Sequence, residues 1–174
     1  MGGNYIVLGV DRTILNLEPV FFLRNFNRDL KNINAIKFQY LNKDYLLAAR
    51  PRLTEFLERL SHDFIIVAYS EMPKYITKAK LKMLNINKYF RYILGSECLI
   101  KNKKAIEKVA ECLNINQKDI IMIDSSSSNN IDNIIKIKQF MLGKDINYEF
   151  EEHPDNLFGV LKSVDKKIEK VLAH

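Results

Sequence analysis

The sequence predicts an α/β fold, a mostly parallel sheet flanked by helices, and three observations carry that prediction. Apolar runs of strand length stand at residues 6–10, 64–69 and 120–123. Helix-periodic segments lie between them, the alternation that builds parallel sheets with right-handed crossovers. Each run stops at polar side chains: Asp11 and Thr13, then Ser70, then Asp124. Continuous apolar strands are buried on both faces, and the carboxyl edge of such a sheet is where open α/β folds bind ligands.

Taken in order, the first strand gives way at residues 16–30 to mixed apolar and polar sequence with Pro19 near its start. Phe21, Phe22 and Phe26 are expected there to pack a short helix or an irregular flap. Residues 35–40 and 44–48 alternate around Leu41-Asn42-Lys43, a hairpin signal. Arg50-Pro51 halts the extended stretch, and Leu53, Phe56, Leu57 and Leu60 follow at helical spacing. After the second strand, Pro73 opens a helix reaching about Leu84, and residues 90–94 read as a short strand. Residues 104–113 predict a helix with Ala105, Val109, Cys112 and Leu113 on its apolar face. The third strand stops at Asp124 and a polar run, residues 125–130; residues 134–137 suit a fourth strand. Leu157, Leu161, Val164, Ile168, Val171 and Leu172 make a C-terminal amphipathic helix. No internal repeat or linker divides the chain, so a single domain over residues 1–174 is expected.

Composition bounds the function classes. At 47% apolar and 28% charged residues, the chain is ordinary for a soluble globular protein. No apolar run approaches the ~18 residues of a membrane span, and no signal-peptide pattern opens it. Cys98 and Cys112 lie in separate segments without metal-ligand spacing. Neither a disulfide nor a zinc site is expected, and reduced thiols of a cytoplasmic or nuclear protein are the default. The net charge of +6 suits an anionic partner, a phosphorylated or acidic protein. Lysines are spread along the chain and no nucleic-acid motif is present, so nucleic acid is not an expected partner.

The three strand ends bring acids and hydroxyls to one edge, and Lys101, Lys103 and Lys104 precede the following helix. Phosphoryl chemistry uses such groups. A carboxylate attacks or holds Mg²⁺, a hydroxyl grips a phosphate oxygen, and a lysine neutralises charge in transfer. In this order the residues resemble the haloacid dehalogenase (HAD) superfamily. Its first motif, Asp-x-Asp-x-Thr after an apolar strand, stands here as Gly9-Val10-Asp11-Arg12-Thr13. Ser70 matches the second motif and Asp124 the fourth. Lys101 best matches the third-motif lysine, with Lys103 or Lys104 open. The hairpin, Arg50-Pro51, Glu55-Phe56-Leu57 and the strand ending at Ser70 are similar to one branch, the FCP1-homology domain. That branch contains small carboxy-terminal-domain phosphatases, NLI-interacting-factor phosphatases and the import subunit Tim50. It implies a HAD-like (Rossmannoid) sheet with a small β-hairpin insertion and no large cap domain.

The resemblance also assigns roles. The first aspartate of the motif is the nucleophile and a Mg²⁺ ligand, and here that position is Gly9. Asp11 corresponds to the general acid and base, and Thr13, Ser70 and Lys101 to phosphate-binding groups. Asp124 and the Asp11 backbone carbonyl correspond to the remaining metal ligands. Without a side chain at position 9, covalent catalysis there is chemically impossible, and Mg²⁺ is expected to bind weakly or not at all. Ser125 after the fourth-motif acid is a poorer ligand again. Structural roles compete: Asp11 as a cap accepting backbone N–H groups, Thr13 and Ser70 as loop braces, Asp124 as a turn cap, and Lys101 as a solvated lysine. Gly9 itself reads equally as a strand glycine marking close backbone approach. His62, His153 and His174 are scattered and suit the surface.

The leading expectation is a pseudophosphatase, a protein-binding or scaffolding module that recognises phosphorylated or extended peptides. One alternative is a residual Mg²⁺-dependent Ser/Thr phosphatase, given that Asp11, Thr13, Ser70 and Asp124 remain. The other is a Tim50-like subunit of mitochondrial import, for whose basic ligands a charge of +6 is poorly suited.

Overall fold

A computed structural model describes residues 4–23, 33–98, 105–125, 133–142, 156–157 and 159–164. Its strands are β1 (Tyr5–Gly9), β2 (Leu15–Pro19), β3 (Ala35–Tyr40), β4 (Lys43–Ala49), β5 (Ile65–Tyr69), β6 (Tyr92–Leu94), β7 (Ile120–Asp124) and β8 (Ile134–Lys136). Its helices are α1 (Leu53–Ser61), α2 (Lys74–Met83) and α3 (Ala105–Leu113). Residues 157 and 159–164 are also helical. The five-stranded sheet runs β6-β5-β1-β7-β8, with every pairing parallel.

The central strand β1 is buried on both sides. Ile6 and Leu8 face α1 and α2 residues Leu57, Leu60 and Leu81, together with Val160 and Val164. Val7 faces Ile106, Val109 and Ala110 of α3, with Val67 and Met122 beside it. Each such aliphatic side chain stabilises the fold by about 1.5–3 kcal/mol on burial. The same double-sided burial is why the strand reads as one unbroken apolar run. Register sets the site: Gly9 pairs with Tyr69 and Leu8 with Ile123. Ser70 and Asp124 are therefore the next residues out on either side of the end of β1.

The expected hairpin is β3–β4. Leu41 and Asn42 both take positive φ, 47° and 58°, the backbone of a two-residue turn whose twist matches the flanking strands. It belongs to a three-stranded antiparallel sheet, β2-β4-β3. That corrects the helix-or-flap expectation for the segment after β1. Residues 15–19 form an edge strand against β4, and only Val20–Leu23 is helical, as a 3₁₀ turn. Pro19 argues against a strand in general, yet an edge strand tolerates it because its missing N–H is not needed by the ladder. Phe26 lies outside the described residues, as do Ile168, Val171 and Leu172.

Two further corrections concern α3 and its cysteine. The buried face is Ile106, Val109 and Ala110, whereas Cys112 is exposed and Ala105 and Leu113 only flank the core. The expected face was out of phase by about one residue. Cys112 instead meets Cys98, 6.1 Å away between Cα atoms, in a disulfide. Sequence separation gave no hint of this, because the two segments are brought together only when α3 packs back on the sheet.

Candidate functional site

The loop after β1 is tied down by its own backbone. The carbonyl of Val10 accepts from the amides of Ile14 and Leu15 at 3.2 and 3.0 Å, while Arg12 takes a left-handed φ of 57°. Arg50 locks the loop from beneath. Its guanidinium is buried and donates from Nη1 to the carbonyls of Thr13 (3.0 Å) and Lys138 (2.8 Å), with Phe140 below it. The Arg-Pro pair therefore does more than stop a strand. Alternate residues of the loop then diverge, Asp11 toward β5 and Thr13 toward β7.

On the β5 side, Ser70 Oγ donates to Asp11 Oδ2 at 2.5 Å and accepts from the Met72 amide at 3.0 Å. Lys80 Nζ reaches the other oxygen, Asp11 Oδ1, at 2.6 Å. The Lys80 side chain is 10% exposed and that of Asp11 40%. Lys80 was not among the predicted site residues. Three other lysines share α2, so residue type alone does not single it out. The signal was in the spacing, since Thr77, Lys80, Leu81 and Leu84 fall at i, i+3, i+4 and i+7, the inward face of a helix. The cap reading of Asp11 is also corrected. Its carboxylate is held by a hydroxyl and an ammonium, and among the described residues no backbone N–H donates to it.

On the β7 side, Thr13 Oγ1 donates to Asp124 Oδ1 at 3.0 Å, and the Ser125 amide donates to both, at 3.1 and 2.9 Å. With its one proton committed to Asp124, Thr13 Oγ1 accepts the proton of Ser125 Oγ, 2.9 Å away. All three side chains are buried. The Asp124 carboxylate occupies the space that a side chain at position 9 would need. A Cβ added to Gly9 would overlap Asp124 Oδ1 and stand 3.0 Å from both Asp124 Cγ and Thr13 Oγ1. The glycine and the inward carboxylate fit each other. Behind them, burial and the negative charges of Glu71 and Asp124 raise the pKa of Tyr69 to about 12.

The divalent cation implied by the resemblance can be tested against these donors. Gly9 supplies no oxygen from its side chain, and Asp124 Oδ1 already accepts from Thr13 and Ser125. Among the described residues no three His, Cys, Asp or Glu side chains are grouped to hold a metal. Near-octahedral coordination of Mg²⁺ by protein carboxylates does not fit this set. Lys101, Lys103 and Lys104 lie outside the described residues, as do His153 and His174, while His62 is exposed. The structure thus joins Asp11 with Ser70 and Thr13 with Asp124. Among the described residues no helix is long and apolar enough to cross a membrane.

Comparison with known proteins places these features. The profile of the family described as NLI interacting factor-like phosphatase matches residues 5–172. No curated protein gives a significant match. Among solved structures, the fission yeast RNA polymerase II CTD phosphatase Fcp1 bound to beryllium fluoride is 18% identical with a TM-score of 0.60. That match covers 79% of this chain and 42% of the Fcp1 chain. A second structure of Fcp1 is 17% identical, TM-score 0.60, covering 82% and 44%. The chain spans less than half the length of either. A haloacid dehalogenase-like family hydrolase from Xanthomonas campestris is 11% identical with a TM-score of 0.54, over 97% of this chain and 100% of that one. At these identities the likeness is one of fold, and it is the HAD-like fold expected.

Proposed function

Given that the chain belongs to the NLI interacting factor-like phosphatase family, we propose that it is a pseudophosphatase, a phosphatase fold kept for protein binding rather than for turnover. One observation carries the reading: the Asp124 carboxylate fills the space beside Gly9 where the family's nucleophile belongs. Position 9 has nothing with which to form a covalent bond to phosphorus. Asp11, the remaining acid of the motif, has both carboxylate oxygens engaged, by Ser70 and Lys80. A group so held is a strut between the loop after β1, β5 and α2, and to act as a proton shuttle it would first have to give up one of these partners. The proposal includes little or no use of Mg²⁺ and a protein partner that is phosphorylated or acidic.

A residual phosphatase is the second reading, favoured by the convergence of Asp11 with Ser70 and of Thr13 with Asp124. In that case water, not an aspartate, would attack directly. Hydrolysis of a phosphate ester with and without Mg²⁺ separates the two, alongside Asp11→Asn. No turnover above the variant is expected. Mg²⁺-dependent turnover abolished by Asp11→Asn would sink the pseudophosphatase reading.

A further inference from the structure

We infer that the outer face of α2 is a docking surface for an acidic, amphipathic segment of a partner protein. The inference rests on the protein-binding reading above and places the contact outside the old cleft. Helix α2 follows directly from Ser70 and buries Thr77, Lys80 and Leu81 against the core. Its opposite face is exposed and carries two parallel stripes at i, i+4 and i+8. One is Lys74, Lys78 and Lys82; the other is Tyr75, Ala79 and Met83. Tyr75 is 72% exposed and Met83 37%.

This pattern opposes the helix's own electrostatics. Like charges four residues apart repel, and no acid occupies the helix or its first turn to relieve them. Lys74 also stands at the N-terminus, where the macrodipole disfavours a cation. The N-terminus itself is already satisfied, because the Lys74 amide donates to Glu97 at 3.0 and 3.1 Å. Among the described residues Lys74, Lys78 and Lys82 make no ion pair. What would complement the face is a row of carboxylates at a rise of about 6 Å, the spacing of every fourth residue on a helix. An apolar row beside it would cover Tyr75, Ala79 and Met83. A second helix with Glu and Leu at matching positions supplies both.

Other anionic partners fit less well. A phosphodiester backbone answers the lysines and leaves the Ala79 and Met83 stripe without a counterpart. An anionic bilayer needs a wide apolar face to insert, and here the apolar face of α2 is already buried in the core.

The test uses the full chain and a labelled synthetic helical peptide with Glu at i, i+4 and i+8 beside Leu at i, i+4 and i+8. Controls are a scrambled peptide, oligo-dT, and phosphatidylcholine–phosphatidylserine vesicles, all read by anisotropy or co-sedimentation at physiological salt. Lys78→Glu with Lys82→Glu is expected to weaken peptide binding about tenfold or more. Tyr75→Ala with Met83→Ala, at unchanged charge, is expected to weaken it about threefold or more. All four positions are exposed, and unchanged melting curves report that the fold is intact. Absence of peptide binding, equal binding of the scrambled peptide, or tighter lysine-dependent binding of oligo-dT or vesicles would each overturn the inference. Phosphate-ester turnover measured on the same sample keeps the two readings apart. Turnover with specific peptide binding would refute the pseudophosphatase and leave this face standing; no turnover and no peptide binding would do the reverse.

Discussion

Replacing Gly9 probes the site most directly, because the obstacle at that position is the buried Asp124 side chain. In Gly9→Ala the new methyl group overlaps Asp124 Oδ1, so the carboxylate has to swing away. It then gives up hydrogen bonds from Thr13 Oγ1 at 3.0 Å and the Ser125 amide at 2.9 Å. Hydrogen bonds to a charged acceptor contribute about 1.5–3 kcal/mol each. Asp124 can remake part of this with its second oxygen, and glycine-to-alanine in a compatible backbone returns about 0.4–1 kcal/mol through the unfolded chain. The net expectation is destabilisation of about 2–4 kcal/mol, a fall in melting temperature of roughly 5–15 °C. Thermal melts of parent and variant decide it. A variant melting at or above the parent would refute the claim that Asp124 is held in the space beside Gly9.

Gly9→Asp extends the test. Two carboxylates about 4 Å apart repel by about 4 kcal/mol at an effective dielectric of 20, so this variant is expected to melt lower still. A divalent cation that binds only the folded state restores stability in proportion to its concentration over its dissociation constant. Melting of Gly9→Asp is therefore expected to rise with added Mg²⁺, while the parent does not respond. A Mg²⁺-dependent rise in the parent would refute the reasoning about its donor set.

The remaining expectations concern the other charged and covalent links. Lys80→Met and Asp11→Asn break the same ion pair with unequal outcomes. The first leaves a carboxylate that solvent reaches and costs about 1 kcal/mol; the second leaves an ammonium at 10% exposure without its counter-ion and costs roughly 2–3 kcal/mol. Equal losses in denaturant melts would mean that the lysine is not buried as described. Tyr69 sets an alkaline limit. Its pKa is about 12 when folded against 10.0 for an unperturbed tyrosine, so the unfolded state loses its proton first. Its stabilising effect is complete below pH 10 and falls by roughly 1–3 kcal/mol as pH rises from 10 to about 12. Tyr69→Phe should flatten stability over that interval, and an unchanged slope would count against the assignment. Reducing Cys98–Cys112, a separation of 14 residues, removes a constraint of about 3 kcal/mol. A lower melting temperature with reductant, and no effect of reductant on Cys112→Ser, is the expected pair of results.

What was legible in the sequence followed from patterns that local chemistry enforces. Strands β1, β5 and β7 are apolar because helices cover both faces, and the hairpin announced itself through alternation about Asn42. Those same strand ends placed Asp11, Thr13, Ser70 and Asp124 correctly at one edge. What could not be read depends on partners distant in the chain. Strand β2 exists because β4 pairs with it, and its own five residues carry too little alternation to show it. Lys80 lies 69 residues from Asp11, and a lysine on a lysine-rich helix reads as solvent-facing until its phase against Leu81 is weighed. The inward position of Asp124 follows from Gly9, 115 residues away, and no local rule connects them.

Charge links Gly9 and Lys80 at this edge. Gly9 brings no acid to the end of β1, and Lys80 pairs with the acid that remains in the loop, Asp11. Asp124 in turn is held by Thr13 and the Ser125 amide. An edge whose carboxylates are held by the chain's own groups keeps its shape without a divalent cation, which is what the proposed binding role needs. It also explains why restoring an acid at position 9 is expected to call for Mg²⁺ rather than simply to refill an empty place. With Lys80 still paired to Asp11, an acid restored at position 9 stands against the Asp124 carboxylate, and a divalent cation held between the two offsets their repulsion.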